Sequence, residues 1–220
     1  MLGQASRFFP RALFATAGVV VLGASSFASA DTINIFADTG NSTEGIGDFT
    51  GMLTYDFVLG DMGVLTVDLT NTSDAGNGGW LTGFIFNIGS SDPDVAAPYT
   101  GGTYPFEDAP GQNGAPYGNP FLGGAALGGN WLGGGFPGDG IAVGDSGSFS
   151  FDVFASDAGS LRASSFLEGP YQFNFIVRFR GFLDGNSDKV PAVPAPSALA
   201  LLGLAALAQP RRRRSARHGP

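Results

Sequence analysis

Carboxylates are the side chains of this sequence with the widest chemical use. The 220 residues include 19 acidic side chains, no cysteine and one histidine, His218. Residues 31–190 therefore contain neither histidine nor cysteine, which excludes Ser-His-Asp and Cys-His catalysis and zinc sites built from those ligands in this segment. Acid–base chemistry of carboxylates and oxygen ligation of hard cations remain.

Two carboxylates facing each other across a cleft are the machinery of glycoside hydrolysis. The sequence has three glutamates for such a pair, Glu44, Glu107 and Glu168, and the Glu107-Asp108 dipeptide lies in an aromatic-rich stretch. With 16 aspartates in the same chain, two acidic groups will often be neighbours by chance. The sequence thus favours a protein that is not an enzyme and leaves a carboxylate-dependent glycosidase as the weakest alternative.

Asp184, Asn186 and Asp188 place three oxygen-bearing side chains at alternate positions, as loops that bind hard cations do. These residues are a candidate calcium site, and calcium is the only cofactor that the sequence suggests. An EF-hand loop would need glycine where Lys189 stands and a glutamate further on, and neither is present. The alternative is an Asx-rich turn that closes the last strand.

A glycine-rich stretch over residues 89–146 also carries many aromatic side chains. It holds 16 Gly and 7 Pro in 58 residues, and loops of this length inside a compact domain are either functional or disordered. Exposed aromatic rings stack on sugars, so Tyr117 and Trp131 are candidates for glycan stacking. The alternative is that they pack on the rest of the domain as a small second core.

The elements that must position these groups alternate apolar and polar residues with the period of a β-strand. They run from Thr32 to Phe36, Leu53 to Leu59, Leu65 to Leu69, Phe84 to Ile88, Phe149 to Val153 and Tyr171 to Phe179. Turns rich in Gly, Asn and Asp favour antiparallel neighbours. The predicted fold is all-β: an antiparallel, jelly-roll-like β-sandwich interrupted by the 89–146 insert.

Charge is distributed unevenly along the chain. Residues 31–190 contain all 19 acidic residues but only four basic ones, Arg162, Arg178, Arg180 and Lys189, for a net charge of −15. So acidic a body is repelled by anionic membrane surfaces and by nucleic acid, which excludes nucleic acid as a partner. Arg178 and Arg180 share one strand face, where we expect pairing with neighbouring aspartates, with anion binding as the alternative.

Residues 1–30 are typical of a secretory signal peptide. Arg7 and Arg11 form a positive start, an apolar stretch follows, and Ala28-Ser29-Ala30 is a small-residue cleavage site for signal peptidase. The apolar stretch is short for a membrane span, which needs about 20 residues. We therefore expect an N-terminal signal helix that is removed, leaving Asp31 as the first residue.

Residues 191–220 form the third segment of the chain. Three prolines, at positions 191, 194 and 196, are predicted to end the folded domain at residue 190. A short hydrophobic helix over residues 197–208 and a cluster of arginines follow, namely Arg211, Arg212, Arg213 and Arg214. By the positive-inside rule this tail makes a transient contact with the inner membrane and leaves the acidic domain outside.

The tail resembles the PEP-CTERM sorting signal, in which a Pro-Glu-Pro motif precedes an apolar helix and an arginine cluster. The matching motif is Val193-Pro194-Ala195-Pro196, with Ala195 where the family usually has glutamate. The resemblance implies removal of the tail by an exosortase-type membrane protease; the alternative is a tail that is retained as a membrane anchor. It also implies a Gram-negative host that makes exopolysaccharide, with the protein in the periplasm, at the outer surface or in the extracellular matrix.

These observations predict three segments: a signal peptide (1–30), an acidic β-sandwich domain (31–190) and a sorting tail (191–220). The expected function is a non-catalytic, extracytoplasmic structural or adhesion module at the cell surface or in a biofilm matrix. The first alternative is a carbohydrate-binding module for exopolysaccharide that uses the aromatic residues of the insert.

Overall fold

The computed structural model describes residues 30–195, and these form an all-β structure of ten strands. The strands are β1 (Asp31–Ala37), β2 (Phe49–Leu59), β3 (Met62–Asn71), β4 (Gly78–Phe86), β5 (Tyr99–Gly102), β6 (Phe106–Asp108), β7 (Gly123–Leu127), β8 (Ser146–Phe154), β9 (Phe175–Phe182) and β10 (Ser187–Pro194). Four short 3-10 helices connect them: Thr39–Asn41, Pro137–Asp139, Ala158–Ser160 and Ala163–Leu167. The predicted signal helix and the hydrophobic helix 197–208 lie outside the described residues.

All strands join one antiparallel sheet in the order β5-β8-β3-β2-β1-β10-β9-β4-β7-β6. The two ends of this order, β5 and β6, follow each other in the chain, and the Tyr99 backbone N–H donates to the Asp108 carboxylate (3.1 Å). The sheet is therefore rolled until its ends meet and is nearly barrel-like. No helix within residues 30–195 is long and apolar enough to span a membrane.

β10 links the two halves of the sheet. Its first part pairs with β9, from Ser187 opposite Arg180 to Pro191 opposite Ile176, and its last part pairs with β1, where Pro194 lies opposite Ile35. The predicted domain boundary at residue 190 is therefore wrong, because the last strand runs on to Pro194. Pro191 is tolerated because it lies where β10 changes partner and the ladder is already interrupted.

Phenylalanine side chains from opposite parts of the sheet form the core. The Phe84 ring lies 5.1 Å from that of Phe149, and the Phe86 ring lies 5.1 Å from that of Phe151, measured between centroids. All four side chains are fully buried, and edge-to-face pairs of this kind add to the free energy gained by burial. The prediction of an antiparallel all-β protein with these apolar faces turned inward is confirmed.

The predicted strand from Tyr171 to Phe179 begins only at Phe175. The Asn174 side chain accepts a hydrogen bond from the Tyr171 N–H (3.2 Å) and donates one to the Tyr171 carbonyl (2.7 Å). This local turn interrupts the extended backbone. Phe175 and Phe179 then enter the main core, whereas Tyr171 and Phe173 pack against a second cluster on the outer side of the sheet.

The 89–146 insert, which was predicted to interrupt the strands, is itself part of the sheet. It supplies β5, β6 and β7, and β7 is buried at every position. An ideal Cβ on Gly124 would lie 2.5 Å from the Phe84 carbonyl oxygen, so only glycine lets β7 lie this close to β4. The small side chains of β7 lack the alternation by which the other strands were predicted.

Candidate functional site

The outer face of β1, β2, β3 and β8 presents polar side chains in register, and we call it the hydroxyl face. Strand pairing aligns twelve residues in three rows. The rows are Thr32-Thr54-Thr66-Ser150, Asn34-Met52-Asp68-Ser148 and Phe36-Thr50-Thr70-Ser146. Because neighbouring strands lie about 4.8 Å apart and every second residue shares a face, the rows form a regular lattice of hydroxyl groups.

A shallow cleft of about 530 Å³ runs across the second and third rows of this face. Phe36 and Met52 line it and are 41% and 37% exposed, respectively. The Thr70 and Ser146 hydroxyls lie 2.7 Å apart and form a hydrogen bond across the strands. The hydroxyl and amide groups of the cleft can form hydrogen bonds to a sugar, and the half-exposed aromatic ring beside them can stack on a sugar ring.

The cleft contains a single carboxylate, that of Asp68. The three glutamates lie in different segments: Glu44 in the loop before β2, Glu107 on β6 and Glu168 in the segment before β9. All three side chains are exposed. In the part of the chain that the structure describes, no three Asp, Glu, His or Cys residues are grouped to hold a metal ion.

The three residues of the candidate calcium site serve different roles in the structure. Asp184 accepts hydrogen bonds from the backbone N–H (2.9 Å) and side-chain amide (3.0 Å) of Asn186, which is an Asx turn. Asp188 is fully buried and its two oxygens accept four hydrogen bonds from residues 43–47. Calcium at this turn would have to replace those four donors around Asp188.

Trp131 cannot stack on a sugar in this structure, because its side chain is only 1% exposed. It packs with Ile85, Phe121 and Ile176 in a second core between the insert and the outer side of the sheet. Prediction of Trp131 as a stacking platform was therefore wrong, and the alternative of a small second core is confirmed. The physical reason is that a large ring beside apolar strand residues gains more from burial than from exposure.

Tyr117 is half-buried at the edge of the same core. Its hydroxyl lies 2.5 Å from the Asn41 carbonyl and 3.0 Å from the Lys189 carbonyl, and its ring meets Phe173 edge-on at 5.8 Å. Burial, with the nearby charges of Asp188 and Asp38, raises the pKa of Tyr117 to about 12. Through these hydroxyl contacts Tyr117 connects the insert to the loop before β2 and to β10.

The positive residues of β9 and β10 lie beneath the insert. Arg180 donates to the carbonyl oxygens of Gly134 (2.6 Å) and Gly135 (3.4 Å), and the Lys189 ammonium donates to the Ala115 carbonyl. These hydrogen bonds connect the insert to the sheet through backbone oxygens, where the sequence predicted aspartate partners for Arg180. Arg178, which lies opposite Lys189 and two residues before Arg180, is buried, with 9% of its surface exposed.

Two exposed loops are joined by a pair of aspartates, Asp92 and Asp157. Asp92 accepts a hydrogen bond from the Ser156 N–H (2.6 Å), and Asp157 accepts from the Ser90 hydroxyl (2.5 Å). These hydrogen bonds are the main reason that the pKa values of both carboxyl groups lie below their ordinary value. The feature is structural and holds the start of the insert against the end of β8.

No family model matches this chain, and comparisons with curated proteins and with solved structures found no significant match.

Proposed function

We propose that this chain is a non-catalytic, extracytoplasmic structural or adhesion module, with the hydroxyl face as its contact surface. The observation that carries the proposal is the alignment of twelve outward side chains over four strands, with only one carboxylate among them. A polar surface of this kind meets a partner by many weak hydrogen bonds. It offers no pair of acidic groups for hydrolysis.

Export is the second part of the proposal and is supported by the termini of the sequence. β1 begins at Asp31, the residue after the predicted cleavage site at Ala30, and the Asp31 carboxylate accepts a hydrogen bond from the Ala163 N–H (2.7 Å). Removal of residues 1–30 would leave this contact intact. We propose processing by signal peptidase and by an exosortase-type protease, with the domain at the cell surface or in the matrix.

For the fold we propose the finer description of a jelly-roll-like sandwich. Its support is the packing of Phe84 and Phe86 from one half of the rolled sheet onto Phe149 and Phe151 from the other half. Calcium stays a proposal for the 184–188 turn, where Asp184 is the exposed ligand.

Carbohydrate binding is the second candidate function, and the cleft with Phe36 favours it. The stacking residue would then lie on the hydroxyl face, and Trp131 in the insert would have no contact with the glycan. Polysaccharides of neutral sugars fit best, because the surrounding body carries a net charge of −15 over residues 31–190 and repels acidic chains.

A glycan array probed with the purified protein, in calcium and in EDTA, tests both candidates. Phe36→Ala removes the exposed ring, and we expect it to weaken binding to a responding glycan about tenfold, the effect of losing one stacking contact. Phe154→Ala is the matched control, because Phe154 is equally exposed (41%) but lies outside the cleft. Absence of any glycan signal in either condition leaves the structural or adhesion role.

That role has its own test on the bacterial surface. Thr54→Lys and Thr66→Lys place two positive charges on adjacent positions of the hydroxyl face. Both threonines are half-buried positions on the outer side of the sheet, so the pair should fold while blocking a flat contact. Unchanged cell adhesion and matrix retention by the double variant would exclude this face as the contact surface.

A further inference from the structure

The outer side of β10, β9, β4 and β7 carries one row that the insert covers. Strand pairing aligns Lys189, Arg178, Gly83 and Ala126 in this row. Gly83 and Ala126 bear no side chain larger than a methyl group, so the Arg178 guanidinium group has small neighbours on that side. Lys189 borders it on the other side.

Arg178 is nine-tenths buried, and its Nε and Nη1 atoms have no hydrogen-bond partner within residues 30–195. The Trp131 Nε1 atom is buried and also lacks a partner in the same part of the chain. Trp131 packs against Ile176, which precedes Arg178 by two residues and shares its side of β9. Three unused N–H donors therefore belong to one covered layer.

The surroundings of Arg178 are positive in a body that is strongly acidic. Three of the four basic residues in 31–190, Arg178, Arg180 and Lys189, occupy this row and the next. Burial first, and then the charge of Arg180, lowers the pKa of Arg178. Burial and the charge of Arg178 lower the pKa of Lys189.

An arginine that is removed from water without an anion costs several kcal/mol. The carbonyl groups that compensate Arg180 and Lys189 leave the Nε and Nη1 donors of Arg178 unused. Donors without acceptors next to clustered positive charge are the chemistry that binds a small anion.

We propose that Arg178 and Trp131 form a buried binding site for one small inorganic anion of halide size. The anion accepts hydrogen bonds from Arg178 Nε and Nη1 and from Trp131 Nε1, and it neutralises the positive row beneath the insert. It thereby attaches the insert to β9. The site is separate from the hydroxyl face and does not depend on the proposed function.

Chloride binding to the full-length protein can be measured from the line width of ³⁵Cl in NMR, with bromide as the competitor. We expect excess broadening that grows with protein concentration, declines as added chloride saturates the site, and is reversed by bromide. Arg178→Gln should weaken chloride binding at least about tenfold, because it removes the charge and two donors. Fluoride, which is smaller and more strongly hydrated, should compete less well than bromide, and equal competition by the two ions would contradict a site of chloride size.

Arg162→Gln is the matched control, because it removes an equal charge at an exposed position and should leave binding unchanged. Trp131→Phe removes the N–H donor and keeps one aromatic ring in the second core, so it tests the site even where Arg178→Gln does not fold. We expect it to weaken chloride binding about fivefold. Absence of chloride broadening, or broadening in both site variants equal to that of the unchanged protein, would overturn the proposal.

Discussion

The Thr43 hydroxyl group connects the loop before β2 to β10 through Asp188. It donates a hydrogen bond to the Asp188 carboxylate (2.9 Å) and accepts one from the Lys189 N–H (3.0 Å). The backbone N–H groups of Glu44, Ile46 and Gly47 donate to the same carboxylate, each at 2.9 Å. One buried side chain thus orders a five-residue loop that is otherwise without regular structure.

Asp188→Ala should lower the free energy of unfolding by about 3 kcal/mol, because it leaves one buried and two part-buried backbone N–H donors without an acceptor. Urea unfolding followed by circular dichroism measures the loss. Asp184→Ala is the control, since its carboxylate serves only an exposed turn, and it should cost about 0.5 kcal/mol or less. Equal losses in the two variants would contradict the structural role of Asp188.

Trp131→Ala should destabilise the protein by about 3–5 kcal/mol, the usual cost of truncating a buried aromatic side chain. Leu132→Ala changes the next residue, which is 50% exposed, and should alter stability by less than about 0.5 kcal/mol. Thermal unfolding distinguishes the two. A Trp131 variant of unchanged stability that loses glycan binding would restore the tryptophan as a binding residue.

Acid should weaken the contact between the start of the insert and the end of β8. The folded-state pKa values of Asp92 and Asp157 are lowered, chiefly by the Ser156 N–H and the Ser90 hydroxyl, respectively. As the pH falls, the two carboxyl groups therefore take up protons in the unfolded chain before they do so in the folded protein. Their stabilisation is fully present above the ordinary pKa of 3.8 and is lost as the pH falls through the lower pKa values of the folded state.

The Asp92→Asn, Asp157→Asn double variant should show a shallower fall in unfolding midpoint below pH 4 than the unchanged protein. Midpoints measured from pH 7 to pH 2.5 give the slope. Asp94→Asn, at an exposed carboxylate in the same loop, serves as the charge control. A slope that Asp94→Asn reduces just as much would assign the effect to net charge alone.

A chain that ends at residue 190 should be less stable than one that ends at residue 196. The shorter chain lacks the pairing of β10 with β1, the hydrogen bond from the Asp38 N–H to the Pro191 carbonyl (2.8 Å) and that from the Ala195 N–H to the Asn34 carbonyl (2.8 Å). We expect a loss of about 3 kcal/mol. Chemical unfolding of residues 31–190 and 31–196 measures it, and equal stability would support the boundary predicted from the prolines.

Strands with large alternating side chains were predictable from the sequence, and those with small ones were not. Phe149, Phe151 and Val153 alternate with polar residues, so their inward face was evident. In β7 no polar residues alternate with the small apolar ones from Gly123 to Leu127, because neighbouring segments cover both faces of this strand. β10 was missed because Pro191 and Pro194 usually end a strand.

The polar residues were predictable as types but not in their surroundings. Asp188 belongs to an Asp-Gly-Asn-Ser-Asp pattern that suits a cation loop, yet its partners lie more than 140 positions away in the chain. Trp131 was named as a stacking candidate because it belongs to the aromatic-rich insert, whereas the fold buries it against Ile85 and Ile176 of the sheet. The burial of Arg178 was likewise not predictable from the sequence, since only the fold shows that the insert covers this side chain.

Of the ten strands in residues 30–195, β10 is the last to leave the ribosome, yet it lies in the middle of the sheet, between β1 and β9. Until it arrives, both of those strands have an unpaired edge and the roll stays open. Folding therefore waits for the whole domain to be synthesised, and its long-range pairings make it slow. This order of events would suit the export that we propose, because a chain that is still open at its centre has not yet become compact.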